Sequence, residues 1–142
     1  MKIGIVGLGK MGSALAQALA GKYEITGFEK SEQSVKNLRP SLTKKIRLAG
    51  SMEQLVEEST TIIIATKPAQ VTQVVEAIPD HRLIISIAAG VALKSIDAAR
   101  SANGPTIRAM PNTPMMIRRG ITAFTGNKFC TDEDIQVARD IS

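Results

Sequence analysis

The opening residues of the chain constrain its fold more than any other segment. An apolar, β-branched run at Ile3–Val6 leads directly into glycines at positions 7, 9 and 12, and a helical pattern follows. A strand, a glycine-rich turn and a helix in this order form the unit that holds a dinucleotide pyrophosphate at a helix N-terminus. Gly7 permits the tight turn, Gly9 lets phosphates approach the backbone, and Gly12 lets the helix pack closely on the strand.

The rest of the chain alternates predicted strands and helices. Apolar, β-branched runs predict strands at residues 3–6, 24–28, 46–49, 61–66, 83–87, 106–110 and 121–124. Helical spacing and capping residues predict helices at 11–19, 32–38, 52–58, 69–78, 93–100 and from Thr131 onward, with Pro40 stopping the second. This alternation predicts an α/β fold with a doubly wound, mostly parallel sheet of the Rossmann type. Residues 1–142 are expected to form a single dinucleotide-binding domain.

Composition excludes several classes of function. The net charge is +5, but the basic residues form no long run and the four aromatic residues are scattered, which argues against nucleic-acid binding. No apolar run is long enough for a membrane span, and the N-terminus does not read as a signal peptide. The single cysteine, Cys130, fits a reducing, cytoplasmic setting and is expected to be structural rather than reactive.

The end of the second predicted strand carries the choice of nucleotide. An acid about 20 residues beyond the glycine motif binds ribose hydroxyls in NAD-dependent folds, whereas basic and hydroxyl residues favour a 2′-phosphate. Here Glu29 argues for NAD, and Lys30 and Ser31 argue for NADP. Ser31 is also a good N-cap for the helix that follows, and both roles can coexist.

Two further segments follow the central strands. Ligands of open α/β sheets bind beyond the carboxyl ends of the strands, which is where Ala65-Thr66-Lys67-Pro68 and Ala88-Ala89-Gly90 lie. The small side chains of the second segment leave room for a flat ring. Lys67 is a candidate anion contact, and Pro68 is expected to start the next helix.

A proline-bounded loop, Arg108-Ala109-Met110-Pro111-Asn112-Thr113-Pro114, completes a set of four ordered motifs. The others are Ile5–Met11, Ala65–Pro68 and Ser86–Gly90, and Gly120-Ile121-Thr122 follows the loop. In this order they resemble the N-terminal domain of pyrroline-5-carboxylate reductase. The resemblance implies reduction of 1-pyrroline-5-carboxylate, a small cyclic imino acid, to L-proline in proline biosynthesis, with NADP(H) favoured and NAD(H) possible.

The glycine motif, the strand ends and the resemblance together assign site residues. Those expected to bind cofactor are Gly7, Leu8, Gly9, Lys10, Met11, Gly12, Glu29, Lys30, Ser31, Ala65, Thr66, Lys67, Pro68, Ala88, Ala89, Gly90 and Asn112. The substrate mouth is expected at Met110, Pro111, Asn112 and Thr113. No catalytic residue and no metal ligand is assigned, because the only histidine, His81, is expected to be a solvated loop residue.

Two departures from the family pattern keep alternatives open. Met115–Arg119 stands where the family usually has small residues and a glycine, so Arg118 and Arg119 are either solvated or part of an altered, carboxylate-attracting mouth. The family also has a helical domain that forms an interlocked dimer and supplies most of the substrate site. This chain stops at Ser142 inside a predicted helix, so a fragment is expected, with a homo-oligomer only for a longer form.

Three functions therefore remain in view. The first is the cofactor half of a pyrroline-5-carboxylate reductase. The second is a related Rossmann reductase, such as a hydroxyacid, ketopantoate or F420-dependent NADP reductase, which should lack the loop at 110–114. The third is a non-catalytic NAD(P)-binding module.

Overall fold

The computed structural model describes residues 1–78, 82–100, 104–111 and 121–141. Within these ranges a seven-stranded sheet has the order β3-β2-β1-β4-β5-β6-β7. The strands are β1 (Lys2–Val6), β2 (Glu24–Phe28), β3 (Arg47–Leu48), β4 (Thr61–Ile64), β5 (Leu83–Ser86), β6 (Thr106–Pro111) and β7 (Ile121–Gly126). All neighbours pair in parallel except β6 and β7, which are antiparallel. The predicted doubly wound, mostly parallel sheet is confirmed.

The helices follow the strands as the alternation predicts. They are α1 (Lys10–Leu19), α2 (Glu32–Lys36), α3 (Pro40–Thr43), α4 (Met52–Glu57), α5 (Val71–Glu76), α6 (Leu93–Ala99) and α7 (Asp132–Ile141). The side chains of Ser51 and Thr131 accept hydrogen bonds from the N–H groups of Gln54 and Asp134, so both residues act as N-caps.

Prolines account for the main differences from the predicted elements. Pro40 does not only stop a helix: it opens α3 from the N1 position, where its missing N–H would have no helical acceptor anyway. The helix predicted over 69–78 begins instead as a 3₁₀ turn at Pro68–Gln70 and becomes α5 at Val71. The strand predicted over 61–66 ends at Ile64, which leaves residues 65 and 66 in the loop beyond the sheet.

Two apolar clusters cover the two faces of the sheet. One holds Ile3, Ile5 and the buried residues of α1, α3 and α7, and the other holds Val6 and those of α4, α5 and α6. Every residue of β4 and β5 is buried, as expected of central parallel strands covered on both sides.

The position of β1 between β2 and β4 creates the switch point of the sheet. The chain winds from β1 towards β2 in one direction and returns to β4 on the other side. At this point the Gly7 N–H donates to the Phe28 carbonyl at 2.8 Å, and the Ala65 N–H donates to the Val6 carbonyl at 2.8 Å. The loops after β1, β2 and β4 therefore meet at one carboxyl edge, which is where ligands of such sheets bind.

Candidate dinucleotide site

The three glycines of the opening motif serve three different purposes. Gly7 has φ +95°, and a Cβ there would lie 2.9 Å from the carbonyl of Ala65. A Cβ on Gly12 would collide with the carbonyl oxygen of Gly7. A Cβ on Gly9, by contrast, would meet no atom within 4 Å. Gly7 and Gly12 are therefore required by packing, whereas Gly9 keeps open the space through which a phosphate would approach.

The N-terminus of α1 opens onto that space. Gly9 is the N-cap residue, no side chain caps the helix, and no acidic residue lies in its first turn. The first-turn N–H groups thus lack an acceptor within the helix and favour an anion. The Lys10 side chain is exposed, whereas Met11 packs partly against the core, so only the backbone N–H of Met11 is suited to contact a phosphate.

Glu29 joins the loop after β2 to the glycine-rich loop. One carboxylate oxygen accepts from the Leu8 N–H at 3.0 Å, and the other accepts from the Ser31 N–H at 2.9 Å. The Leu8 side chain is buried in the core. Leu8 was expected to bind cofactor and Glu29 to bind ribose, yet in this structure the two bind each other. Nothing in the sequence distinguishes this bridge from a carboxylate that faces solvent.

Lys30 and Ser31 lie beside this bridge at the predicted adenosine end. Both are exposed, and the Ser31 hydroxyl accepts from the Ser34 N–H at 3.2 Å. The predicted N-cap is thereby confirmed. A capping hydroxyl keeps its own proton, so Ser31 can still donate to a phosphate oxygen.

The segments after β4 and β5 lie at the same edge of the sheet. Ala65 backs the turn at Gly7, Lys67 and Pro68 are exposed, and the Thr66 hydroxyl oxygen is buried with no hydrogen-bond partner. A buried hydroxyl without a partner is costly, and this one lies at the edge of the sheet where ligands of such folds bind.

The segment 88–90 presents a small, open surface. Ala88 is buried, whereas Ala89 and Gly90 are exposed. Gly90 has φ +75°, and a Cβ there would meet open space. A side chain at this position would be strained and would project into the site, so glycine suits a surface that a flat ring approaches.

Met110 is the residue of the predicted substrate mouth whose side chain the structure describes. This residue is near the end of β6 and its side chain is 56% exposed. The backbone of Pro111 pairs with that of Ile121 across a register shift. Other residues singled out in the sequence lie outside the described residues: His81, Asn112, Thr113, Arg118 and Arg119.

Sequence reasoning gave Arg108 no role of its own. This residue pairs with Ser86 across β5 and β6, and its Nε atom is buried without a hydrogen-bond partner. Ser86 is fully buried at the end of β5. Arg108 opens the loop motif of the sequence, but the motif gave no indication that part of its side chain is buried.

Cys130 fits the structural role predicted for it. The thiol donates to the carbonyl of Thr106 and to the side-chain oxygen of Asn127, both at 3.4 Å. Burial raises the pKa of the Cys130 thiol, which lowers the fraction of reactive thiolate. Over the described ranges no cluster of three metal-ligating side chains occurs, and no helix has the length and apolar character to cross a membrane.

Residues 2–90 match the family model described as NADP oxidoreductase, coenzyme F420-dependent. The chain belongs to this family. The matched segment contains the glycine motif and the segments after β2, β4 and β5. It ends before the loop at 110–114, so membership leaves open which reductase within the family the chain resembles.

Relatives and solved structures confirm the resemblance to the N-terminal half of pyrroline-5-carboxylate reductase. The Methanosarcina acetivorans pyrroline-5-carboxylate reductase is 32% identical, over 99% of this chain and 54% of the relative. The Streptococcus pyogenes 1-pyrroline-5-carboxylate reductase superimposes with a TM-score of 0.86 at 31% identity, over 99% of this chain and 54% of that one. The Plasmodium falciparum pyrroline carboxylate reductase with NADP bound has a TM-score of 0.84 at 25% identity, over 99% and 53%. The chain thus spans about half the length of the curated relatives it matches.

The geometry of the site fits the dinucleotide that the family name implies. The space over Gly9, the uncapped N-terminus of α1 and the open surface at Gly90 are features that a bound dinucleotide would fill. NADP(H) is therefore the cofactor that the fold and the family both indicate.

Proposed function

We propose that this chain forms the cofactor-binding half of a pyrroline-5-carboxylate reductase, which reduces 1-pyrroline-5-carboxylate to L-proline. The observation that carries the proposal is that the described parts of the motifs meet at one edge of the sheet. Ile64, Ser86 and Arg108 are in register across β4, β5 and β6. The described residues that follow these three, at 65–68, 87–90 and 109–111, therefore lie at the carboxyl edge that also carries the glycine-rich loop.

Each part of this edge has a distinct task in the proposal. The N–H groups at the start of α1 hold the pyrophosphate, and the exposed Lys67 adds positive charge at the end of β4. Ala89 and Gly90 provide a surface without side-chain bulk, and Met110 covers the mouth with an apolar group that limits access of water. NADPH, when bound, supplies the hydride.

The adenosine end is proposed to favour NADPH over NADH. The Lys30 ammonium and the Ser31 hydroxyl are exposed donors suited to a 2′-phosphate.

Calorimetric titration with NADPH and NADH tests this choice of nucleotide. We expect NADPH to bind more tightly, and Lys30→Ala and Ser31→Ala each to reduce that preference. Lys36→Ala removes an exposed positive charge at the end of α2 and is the matched control. Equal affinities in the unmodified chain would contradict the choice of NADPH.

The proposal extends to the setting in which the chain works. The substrate is a small cyclic imino acid, and a longer form that includes a helical domain is a homo-oligomer. We further propose a cytoplasmic biosynthetic role, with neither nucleic acid nor membrane as a partner.

A chimera provides the direct test of the activity. We would join the chain to the second half of the M. acetivorans relative and follow NADPH oxidation that depends on 1-pyrroline-5-carboxylate. The chain alone is expected to bind NADPH with little or no turnover, and the chimera is expected to form L-proline. A Gly9→Ser chimera is the control, because it keeps the fold while obstructing the phosphates. A folded chimera that binds NADPH and forms no proline would overturn the proposed reaction.

One observation favours a second candidate, a non-catalytic NAD(P)-binding module. The chain spans about half of each relative. The family resemblance implies that the other half supplies most of the substrate site. The chimera separates the two candidates, since a binding module would bind NADPH without any substrate-dependent turnover in either form.

A further inference from the structure

Leu8, between two glycines of the glycine-rich loop, is held by both of its backbone polar groups. Its N–H donates to the Glu29 carboxylate at 3.0 Å, and its carbonyl accepts from the Ser13 hydroxyl at 2.6 Å. Its side chain is only 2% exposed, whereas a Cβ on the next residue, Gly9, would meet open space. The uncapped start of α1 therefore lies directly beside a residue whose position the protein fixes.

The side chain of Leu8 lies over Gly27, inside β2. A Cβ on Gly27 would lie 2.9 Å from Cδ1 and 3.1 Å from Cδ2 of Leu8, and 3.3 Å from Cδ1 of Ile46. The shortest of these distances is closer than Cβ atoms tolerate. Both methyl groups of Leu8 thus occupy space that a side chain at position 27 would need.

The backbone at position 27 does not itself require glycine. Gly27 is paired with both neighbouring strands, and its φ lies outside the positive range that favours glycine. Glycine weakens the interior of a strand, and its presence there often marks a close approach of another group. The group that approaches Gly27 is the Leu8 side chain, so the missing Cβ determines how closely Leu8 can pack on β2.

We propose that Leu8 and Gly27 are a positioning pair for the pyrophosphate. The space over Gly27 sets the position of Leu8, and Leu8 sets the position of the backbone N–H groups at residues 9–11, which start α1. The Leu8 side chain does not reach the cofactor: it acts through the backbone of the glycine-rich loop. This inference rests on the proposed use of the dinucleotide site.

The first measurement tests the pair without a ligand. Gly27→Ala places a Cβ against the flexible end of the Leu8 side chain, so the chain is expected to fold with Leu8 displaced. We expect the amide chemical shifts of residues 9–11 to change. Gly4→Ala is the matched control, because its Cβ would lie 2.7 Å from Cδ2 of Leu55, in the core on the opposite face of the sheet. Unchanged shifts at residues 9–11 in Gly27→Ala, or equal changes there in Gly4→Ala, would overturn the pair.

The second measurement is the affinity for NADPH, determined by calorimetry on samples that circular dichroism shows to be folded. We expect Gly27→Ala to lower the affinity about tenfold, as the weakening of one hydrogen bond to a charged group implies. Gly4→Ala should change it less than about twofold, since its Cβ lies away from the loop. Leu8→Ala should also lower the affinity, because the short side chain no longer packs on β2.

The double variant Leu8→Ala/Gly27→Ala tests whether the two positions act together. The methyl group added at position 27 fills part of the space that Leu8 vacates. We therefore expect the double variant to bind NADPH at least about threefold more tightly than either single variant, as coupling between residues in contact implies. A pair with a purely structural role would change the stability and leave the affinity of the folded samples unchanged.

Two results would overturn the proposal: folded Gly27→Ala that binds NADPH as tightly as the unmodified chain, or a double variant that binds no better than the single variants. If Gly27→Ala does not fold, the comparison of Leu8→Ala with the double variant decides in the same way. If the unmodified chain does not bind NADPH, the proposed function fails, while the amide shifts still decide whether Gly27 positions the loop.

Discussion

The two edges of the sheet differ in how many of their polar groups have hydrogen-bond partners. At the amino edge, where β6 begins and β7 ends, the Asn127 side chain donates to Asp97 at 2.8 Å and to the Gly104 carbonyl at 3.0 Å. Its oxygen accepts from the N–H groups of Thr106 and Phe129. At the carboxyl edge, the start of α1 is uncapped and the Thr66 hydroxyl has no partner. The hydrogen bonds of Asn127 stabilise the fold at the amino edge, whereas the carboxyl edge has polar groups that a ligand can satisfy.

The amino edge also has a cavity. A cavity of about 650 Å³ lies at the amino edge, beside α6, and its lining includes Asp97 and Asn127. Arg100, also in its lining, donates to the carbonyls of Pro105 and Arg82. The hydrogen bonds of Asp97, Arg100 and Asn127 in its lining join α6 to the start of β6 and to the turn after β7. These three side chains therefore have a structural role at the amino edge.

The largest expected effect concerns the packing that shapes the carboxyl edge. Gly12→Ala should destabilise the chain by about 3 kcal/mol, because its Cβ collides with a backbone oxygen that cannot rotate away. Urea unfolding followed by circular dichroism measures the loss. Gly21→Ala is the control, since a Cβ there meets no atom within 4 Å. If the two variants are equally stable, the close approach of α1 to β1 is not what requires Gly12.

The next largest effect concerns the hydrogen bonds of Asn127 at the amino edge. Asn127→Ala should cost about 2 kcal/mol of unfolding free energy, because it leaves the partners of the side chain without their hydrogen bonds. The affinity for NADPH should remain the same, because Asn127 lies at the opposite edge. If Asn127→Ala folds completely but loses most of its affinity for NADPH, the two edges are not independent.

Gly9→Ser should separate binding from stability within a single loop. A serine at this N-cap position can accept from the first turn of α1, so stability should be unchanged or rise by a few tenths of a kcal/mol. The added side chain enters the open space over the loop, and NADPH affinity should fall at least about tenfold, as obstruction of a phosphate contact implies. Affinity equal to that of the unmodified chain would place the pyrophosphate elsewhere.

The smallest effects compare two N-caps with the same chemistry. Ser51 and Ser31 each accept one backbone N–H, from Gln54 and Ser34. Replacement by alanine should cost up to about 1 kcal/mol at either position. Only Ser31→Ala should also weaken NADPH binding, because only Ser31 lies at the adenosine end. Thermal unfolding and calorimetry on the same samples measure stability and NADPH affinity. A change of NADPH affinity in Ser51→Ala would contradict this comparison.

The sequence predicted the parts of the molecule that depend on local pattern. The alternation of apolar runs and capped helices was sufficient for the fold, and the glycine spacing located the loop at Gly7–Gly12. The hydrogen-bond partners of the Glu29 carboxylate were not predictable. They depend on the distance between two loops that only the parallel pairing of β1 and β2 brings together. The partnerless atoms of Thr66 and Arg108 were also not predictable, because burial without a partner is a property of packing.

The most direct test of the account is a map of amide chemical shifts as NADPH is added to the chain. We expect changes at the carboxyl edge, at residues 7–12, 29–31, 65–67 and 88–90, and none at residues 127–129. Changes centred on the cavity beside α6, or no saturable change at the glycine-rich loop, would contradict it.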